Sequence, residues 1–320
     1  MSTPDPTDPG GSSPVAAVDE RPHTPGLEPL WNESWYFDFA AADGSLGGYV
    51  RLGLYPNLGR VWYWACLVGE DRPLVTVIDH EVPLPRTGLE LRSEGLWAAH
   101  NLETAREHWS LGLEAFAVGV DDPADVYGDL RGERVPFGLD LEWETVGGPY
   151  PYPGVDRYEV PCRVTGEVLV GQERIEIDGP GQRDHSWGVR DWWSYGWCWS
   201  STALDDGTRT HATQVTLGDD HLYDTAYVQA PGGLPRGTGV ARRDQVLGPH
   251  GLPTSGHLAL VDPDGGDDLA LTLRPVGFAP VLLVAPDGRR SRFPRALCRA
   301  TTPDGRIGVG WTEWNQPQPL

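Results

Sequence analysis

Phe137-Gly138-Leu139-Asp140-Leu141-Glu142-Trp143-Glu144 alternates without a fault. Phe137, Leu139, Leu141 and Trp143 share one parity, and Asp140, Glu142 and Glu144 share the other. Successive residues of a strand point to opposite faces, so this is a strand with one face in a core and one in water. The same logic extends outward. Residues 49–55 put Val50, Leu52 and Leu54 on one face. Residues 61–68, VWYWACLV, are apolar on both faces, which predicts a strand covered on both sides. Residues 108–118 and 163–178 add strands, and further ones are expected near 193–203, 209–217, 222–229, 257–262, 268–275, 280–285 and 306–315. Leu204-Asp205-Asp206-Gly207-Thr208 and Thr302-Pro303-Asp304-Gly305 read as hairpin turns. The one helical signal is Asp122-Pro123-Ala124-Asp125-Val126-Tyr127, with a capping Asp and Pro at the first position. The 41 Gly and 30 Pro lie between apolar runs and act as turn punctuation. The chain therefore reads as all-β, a sandwich or barrel architecture.

A length of 320 residues suits two domains. Residues 1–28, rich in Pro, Asp, Ser and Gly, read as a disordered tail. Gly147-Gly148-Pro149-Tyr150-Pro151-Tyr152-Pro153-Gly154 interrupts the strand pattern and places a boundary near 155, giving domains over 29–155 and 156–320.

Acids number 46 against 25 basic residues, all of them Arg, for a net charge of −21. Without Lys there is no Schiff-base or P-loop chemistry. The negative charge disfavours nucleic acid and anionic lipid surfaces. Cys66, Cys162, Cys198 and Cys298 are scattered, and the nine His form neither H-x-H nor H-E-x-x-H, so no metal or cofactor is expected. The N-terminal residues lack a secretory pattern and no apolar run reaches membrane-spanning length, so a cytoplasmic protein with free thiols is expected.

Chemistry concentrates in residues 179–193, Gly-Pro-Gly-Gln-Arg-Asp-His-Ser-Trp-Gly-Val-Arg-Asp-Trp-Trp. By parity His185 and Trp187 face one way and Asp184 and Ser186 the other, so Asp184 cannot orient His185. His211, on a later strand, is the candidate partner. Gly188 is a possible bulge, and parity is not carried across it. Beyond it Trp193, Tyr195, Trp197 and Trp199 form an aromatic ladder opposite Ser194, Gly196, Cys198 and Ser200. Such a wall suits a small apolar ligand and can stabilise a carbocation. His185 is a candidate general acid or base, its pKa lowered by burial; Asp184 and Asp191 are candidate acids, raised by burial. Arg190 and Glu313, the latter on the last strand, complete the candidate set. The alternative for Asp184, His185 and Arg190 is a hydrogen-bonded plug between sheets.

G-x-G-x-R-D-H-S-W-G-x-R-D-W resembles the signature of the carotenoid 1,2-hydratase (hydroxyneurosporene synthase) superfamily, which includes tocopherol-cyclase-like and Diels–Alderase-like relatives. Trp31-Asn32-Glu33-Ser34-Trp35-Tyr36-Phe37 and Gly310-Trp311-Thr312-Glu313-Trp314-Asn315-Gln316 are similar to the two ends of an uncharacterised bacterial branch. The resemblance spans about residues 30–316 and implies two lipocalin-like (calycin) β-domains in tandem. It also implies that His185 and Trp187 protonate a double bond. The Tyr-x-Asp pair of the hydratases has no counterpart at Thr210-His211-Ala212-Thr213-Gln214-Val215, so the resemblance carries the fold further than the reaction. An enzyme moving a proton on an isoprenoid-like or polyunsaturated substrate is expected. The alternatives are a lipid or isoprenoid carrier and a carbohydrate-active protein.

Overall fold

The computed structural model describes residues 15–128, 130–262 and 269–318. The first sheet is built from β1 (Trp31–Ala40), β2 (Leu46–Tyr55), β3 (Arg60–Gly69), β4 (Leu74–Pro83), β5 (Glu90–Ser93), β6 (Leu96–Thr104), β7 (His108–Val120), β8 (Glu133–Thr145), the two-residue β9 (Tyr150–Pro151), β10 (Arg157–Val170) and β11 (Glu173–Val189). The second holds β12 (Gly196–Leu204), β13 (Arg209–Leu217), β14 (Asp220–Gln229), β15 (Arg236–Leu247), β16 (Pro253–Val261), β17 (Leu269–Phe278), β18 (Val281–Val284), β19 (Arg290–Phe293), β20 (Arg295–Thr301) and β21 (Ile307–Pro317). Among the described residues the only helices are short 3-10 turns, one of them at Pro123–Tyr127, where Asp122 Oδ1 caps Ala124 N at 2.9 Å.

Both sheets close on themselves. The first runs β4-β3-β2-β1-β11-β10-β8-β7 and returns to β4, with β5 and β6 continuing from β7. The second runs β12-β13-β14-β15-β16-β17-β20-β21 and returns to β12, with the β18–β19 hairpin continuing from β21. The fold is thus two lipocalin-like antiparallel barrels, in which closure removes the sheet edges. The parity readings hold: Val50, Leu52, Phe137, Leu139, Leu141 and Trp143 fill the first barrel.

The expected boundary at 155 is corrected. Strands β10 and β11 pair with β8 and β1, so they belong to the first barrel, and the chain passes to the second between Val189 and Gly196. The Pro-rich stretch is a loop that returns to its own sheet, with Tyr150–Pro151 pairing on β10. The Arg183–Gly188 motif therefore sits in the first barrel. Alternation identifies a strand but not the sheet it joins.

The barrels pack side against side. Trp62, Trp64 and Tyr49 on the outside of the first meet Trp199, Leu297 and Trp311 on the outside of the second. This is why residues 61–68 are apolar on both faces. Tyr49 Oη donates to Ala279 O at 3.1 Å and Trp311 Nε1 to Phe39 O at 3.0 Å, so these two buried donors of the interface are paired across it.

Residues 15–28 are not a tail. Val15 enters the core of the first barrel, and the 3-10 turn Ala17–Glu20 buries Glu20. The Glu20 carboxylate accepts from Trp109 Nε1 at 2.6 Å, Tyr158 Oη at 3.0 Å and Arg183 Nη1 at 3.0 Å. Burial opposes its charge, but Arg183 and these donors win, so its pKa is lowered. A group held this way stabilises the fold above its unfolded pKa and loses that contribution as pH falls through the folded one. E20Q is expected to cost about 1–3 kcal/mol in urea unfolding at pH 7. The deficit should narrow as pH falls below the ordinary carboxylate range and the wild-type carboxylate also takes up a proton.

Candidate functional site

Strand β11 carries the motif residues and sorts them by parity. Arg183, His185 and Trp187 face the first barrel's interior and hold the N-terminal segment there. Besides the Arg183–Glu20 pair, His185 Nδ1 lies 2.7 Å from Asp19 O, and His23 stacks on Trp187 with ring centroids 3.9 Å apart. A carbonyl only accepts, so His185 Nδ1 carries a proton and donates it there. Its Nε2 lies 2.9 Å from Glu33 Oε1. Burial lowers the His185 pKa against the pull of Glu33.

Gln182, Asp184 and Ser186 face outward, toward the second barrel. At Gly188 (φ +117°) the chain turns, and Val189, Arg190, Asp191 and Trp192 all join the same wall as Asp184. That wall bounds a cavity of about 440 Å³ between the barrels, within the size range of small-molecule sites. The second barrel contributes Trp197, Trp199, Arg295 and Glu313. The rim is apolar and open: Val155, Val189, Tyr195 and Leu222 are 46%, 56%, 40% and 49% exposed. The floor is closed and polar, with Tyr36, Arg51, Asp184 and Arg295 all at most 6% exposed.

Arg157 is the hinge of the floor. Its Nε donates to Glu159 Oε1 at 2.8 Å and its Nη2 to Asp184 Oδ2 at 2.7 Å. Glu159 also accepts from Trp199 Nε1 at 2.9 Å, Gln182 Nε2 at 3.0 Å and Tyr152 Oη at 3.0 Å. Burial would raise the Glu159 pKa, but Arg157, His211 and these donors outweigh it and keep the carboxylate anionic. Tyr152 has spent its proton on Glu159, so His211 Nε2, 2.6 Å away, donates to the phenol oxygen. Asp184 lacks such a set of donors. Burial and the charges of Glu159 and Glu313 outweigh Arg157, and its pKa is pushed up to about 7.

Of the candidate residues, Asp184, Arg190, Asp191, Tyr195, Trp197, Trp199 and Glu313 line the cavity. His185, Trp187, Trp193 and His211 do not. His185 is fully buried in the first barrel, against Trp35 and Tyr158, and His211 meets Tyr152 and Thr213 instead of His185. Trp193 donates to Leu283 O at 3.2 Å and packs the interface. Asp191 has its carboxylate engaged: Oδ1 accepts from Trp193 N and Ser194 N at 2.9 and 3.1 Å, and Oδ2 from Ser194 Oγ at 2.6 Å. Glu313 pairs with Arg295. The sequence reading missed Tyr36, Arg51, Tyr152, Arg157, Glu159 and Arg295. Parity offered one signal, since Tyr49, Arg51, Gly53 and Tyr55 alternate with Val50, Leu52 and Leu54. An arginine among tyrosines on an outward face is unusual for a solvated surface.

The expectation of no metal rested on sequence spacing. The fold brings His23, Glu33 and His185 together, with one ligand atom of each within 4.8 Å of the others. This donor set would suit a transition metal, though His23 Nδ1 and His185 Nε2 are both bonded to Glu33 Oε1, at 2.7 and 2.9 Å. No helix among the described residues is long and apolar enough to cross a membrane.

Solved structures share the whole architecture. An AttH-like protein of Nitrosomonas europaea superposes with a TM-score of 0.63 at 13% identity, over 98% of this chain and 99% of that one. CghA gives 0.60 at 13% identity over 97% of each chain, and has also been solved with Sch210972. Kievitone hydratase from Nectria haematococca gives 0.61 at 11% identity, over 95% of this chain and 94% of that one. At these identities the likeness is one of fold. No curated protein matches the sequence. A family profile matches residues 16–318, nearly all of both barrels, and the chain belongs to that family, described as a domain of unknown function (DUF7064).

Proposed function

We propose that the protein is an enzyme that moves a proton on a hydrophobic, conjugated small molecule held between the barrels, in a hydration, cyclisation or isomerisation. The observation that carries this reading is Asp184. It is a buried carboxyl on the wall of an aromatic cavity, with its pKa raised to about 7. A carboxyl so tuned can give a proton to a substrate carbon or oxygen and take one back near neutral pH. Trp192, Trp197, Trp199 and Phe293 form the apolar wall against which an unsaturated chain would lie. The resemblance to the carotenoid hydratase superfamily agrees with this class of chemistry, as do hydratase relatives in fold. It assigns the proton to His185, whereas the cavity favours Asp184, one residue away and on the other face.

Native mass spectrometry of the purified protein, followed by solvent extraction in heavy water, tests the reading. Expected is a co-purified unsaturated ligand that takes up deuterium at carbon with the wild type and not with D184N. A ligand retained equally by both, with no deuterium in either, would establish the carrier reading instead.

A further inference from the structure

The polar floor of the cavity is overcharged with arginine. Arg157 has Asp184 and Glu159, and Arg295 has Glu313. Arg51 and Arg190 have no carboxylate partner among the described residues. Arg190 donates to Ser186 Oγ at 2.8 Å, and its guanidinium lies 5.1 Å from the Trp192 ring. The Arg51 guanidinium lies 5.2 Å from the same ring and 4.6 Å from Trp64. Arg51 is only 3% exposed; the Tyr55 hydroxyl partly offsets its charge, and among the described residues neither terminal nitrogen has a well-formed hydrogen bond. Two more atoms of the floor are in the same state, Arg295 Nη1 and Tyr36 Oη.

A buried cation with unspent donors is costly unless something pairs with it. Aromatic faces soften that cost without removing it. Burial and Arg295 lower the Arg51 pKa; burial, Arg157 and Arg51 lower that of Arg190 to about 10. Without an anion beside them, the two guanidiniums carry a desolvation cost that the protein does not fully offset. Gly53 is part of this arrangement. A Cβ there would stand 2.5 Å from Arg51 Nη1, so the absent side chain is what lets the guanidinium lie over the strand.

We infer that the substrate is an amphiphilic acid, which enters through the apolar rim and seats an oxyanion, a carboxylate or enolate, between Arg51 and Arg190. Planar guanidinium forks match a two-oxygen anion, and Tyr36 Oη and Arg295 Nη1 supply further donors. The inference rests on the proposed function and narrows its substrate class. It disfavours a carbocation in this cavity, because the two guanidiniums without a carboxylate partner would raise its energy.

The test uses geranic acid and geraniol, which share one unsaturated chain and differ in charge at its end. Binding is followed by quenching of tryptophan fluorescence at pH 8. Geranate is expected to bind at least tenfold more tightly than geraniol. R51M should bring that ratio near one, chiefly by weakening geranate. G53A, which keeps the charge but displaces the guanidinium, should lower the ratio in the same direction. Equal affinities in the wild type would overturn the oxyanion site and leave the apolar cavity of the proposed function standing. Binding of neither compound would overturn both. A melting temperature of unliganded R51M at or above the wild type would support an unpaired charge. A clear loss of stability would mean that Arg51 is a structural cation, against the inference.

Discussion

D184N is expected to lower turnover by about a hundred- to ten-thousand-fold, the span of a lost general acid–base group, with the ligand still bound. The argument has three links. Parity on β11 turns Asp184 away from the barrel interior, burial in the aromatic cavity removes the water that would favour its charge, and Arg157 is shared with Glu159, the carboxylate with the fuller set of hydrogen-bond donors. With Asp184 acting as the acid, activity should be full below about pH 7 and fall as pH rises through that value. Stability should move the same way with pH. An acid whose pKa is about 7 in the fold and ~3.9 when unfolded contributes stability at low pH that is lost as pH rises through the folded value. Asparagine does not ionise. The melting temperature of D184N relative to wild type should therefore be more favourable at pH 8 than at pH 5. Gain of stability with loss of activity is what a strained functional carboxyl predicts. Equal pH dependence in the two proteins would remove Asp184 from that role.

What could be read from the sequence was whatever is local. Alternation marked Phe137–Glu144 and residues 49–55, and the double-sided run 61–68 announced a barrel covered from outside. It also separated Asp184 from His185, and the structure puts them on opposite sides of the barrel wall. Closure and pairing were not local. The sequence boundary at 155 failed because a Pro-rich loop looks the same whether it leaves a sheet or returns to it. Residues 15–28 looked like a tail because their composition is that of one. They are ordered by contacts far away in sequence, among them a buried carboxylate, Glu20, meeting Arg183 163 residues on, which no window shows. The motif drew attention to His185 because His is the usual proton carrier. Its odd-numbered face serves to anchor the N-terminal segment. The residues that complete the cavity floor, Arg51, Arg157, Glu159 and Arg295, come from three strands, β2, β10 and β20, and were legible only once the barrels were packed.

Arg157→Met should be the most damaging single change to stability, costing about 3–5 kcal/mol in urea unfolding at pH 8. Methionine keeps much of the packing volume but leaves Glu159, which is fully buried, without its cation. Glu159 would keep the donors from Trp199, Gln182 and Tyr152, so the fold should survive. In the wild type the Glu159 pKa is lowered, and its contribution is present above the unfolded carboxylate range and lost as pH falls. The R157M deficit should accordingly be largest above pH 7 and shrink toward pH 4 as the carboxylate is protonated. The double variant R157M/E159Q should recover most of the loss at pH 8, because the uncompensated charge is gone. R157K separates charge from geometry. One ammonium cannot hold both carboxylates in the fixed fork of a guanidinium, so it should restore part of the stability while leaving the pKa of Asp184, read from the pH–activity profile, displaced from its wild-type value. If R157M and R157M/E159Q were equally unstable at every pH, Arg157 would be acting through packing, and the electrostatic account of the cavity floor would have to be abandoned.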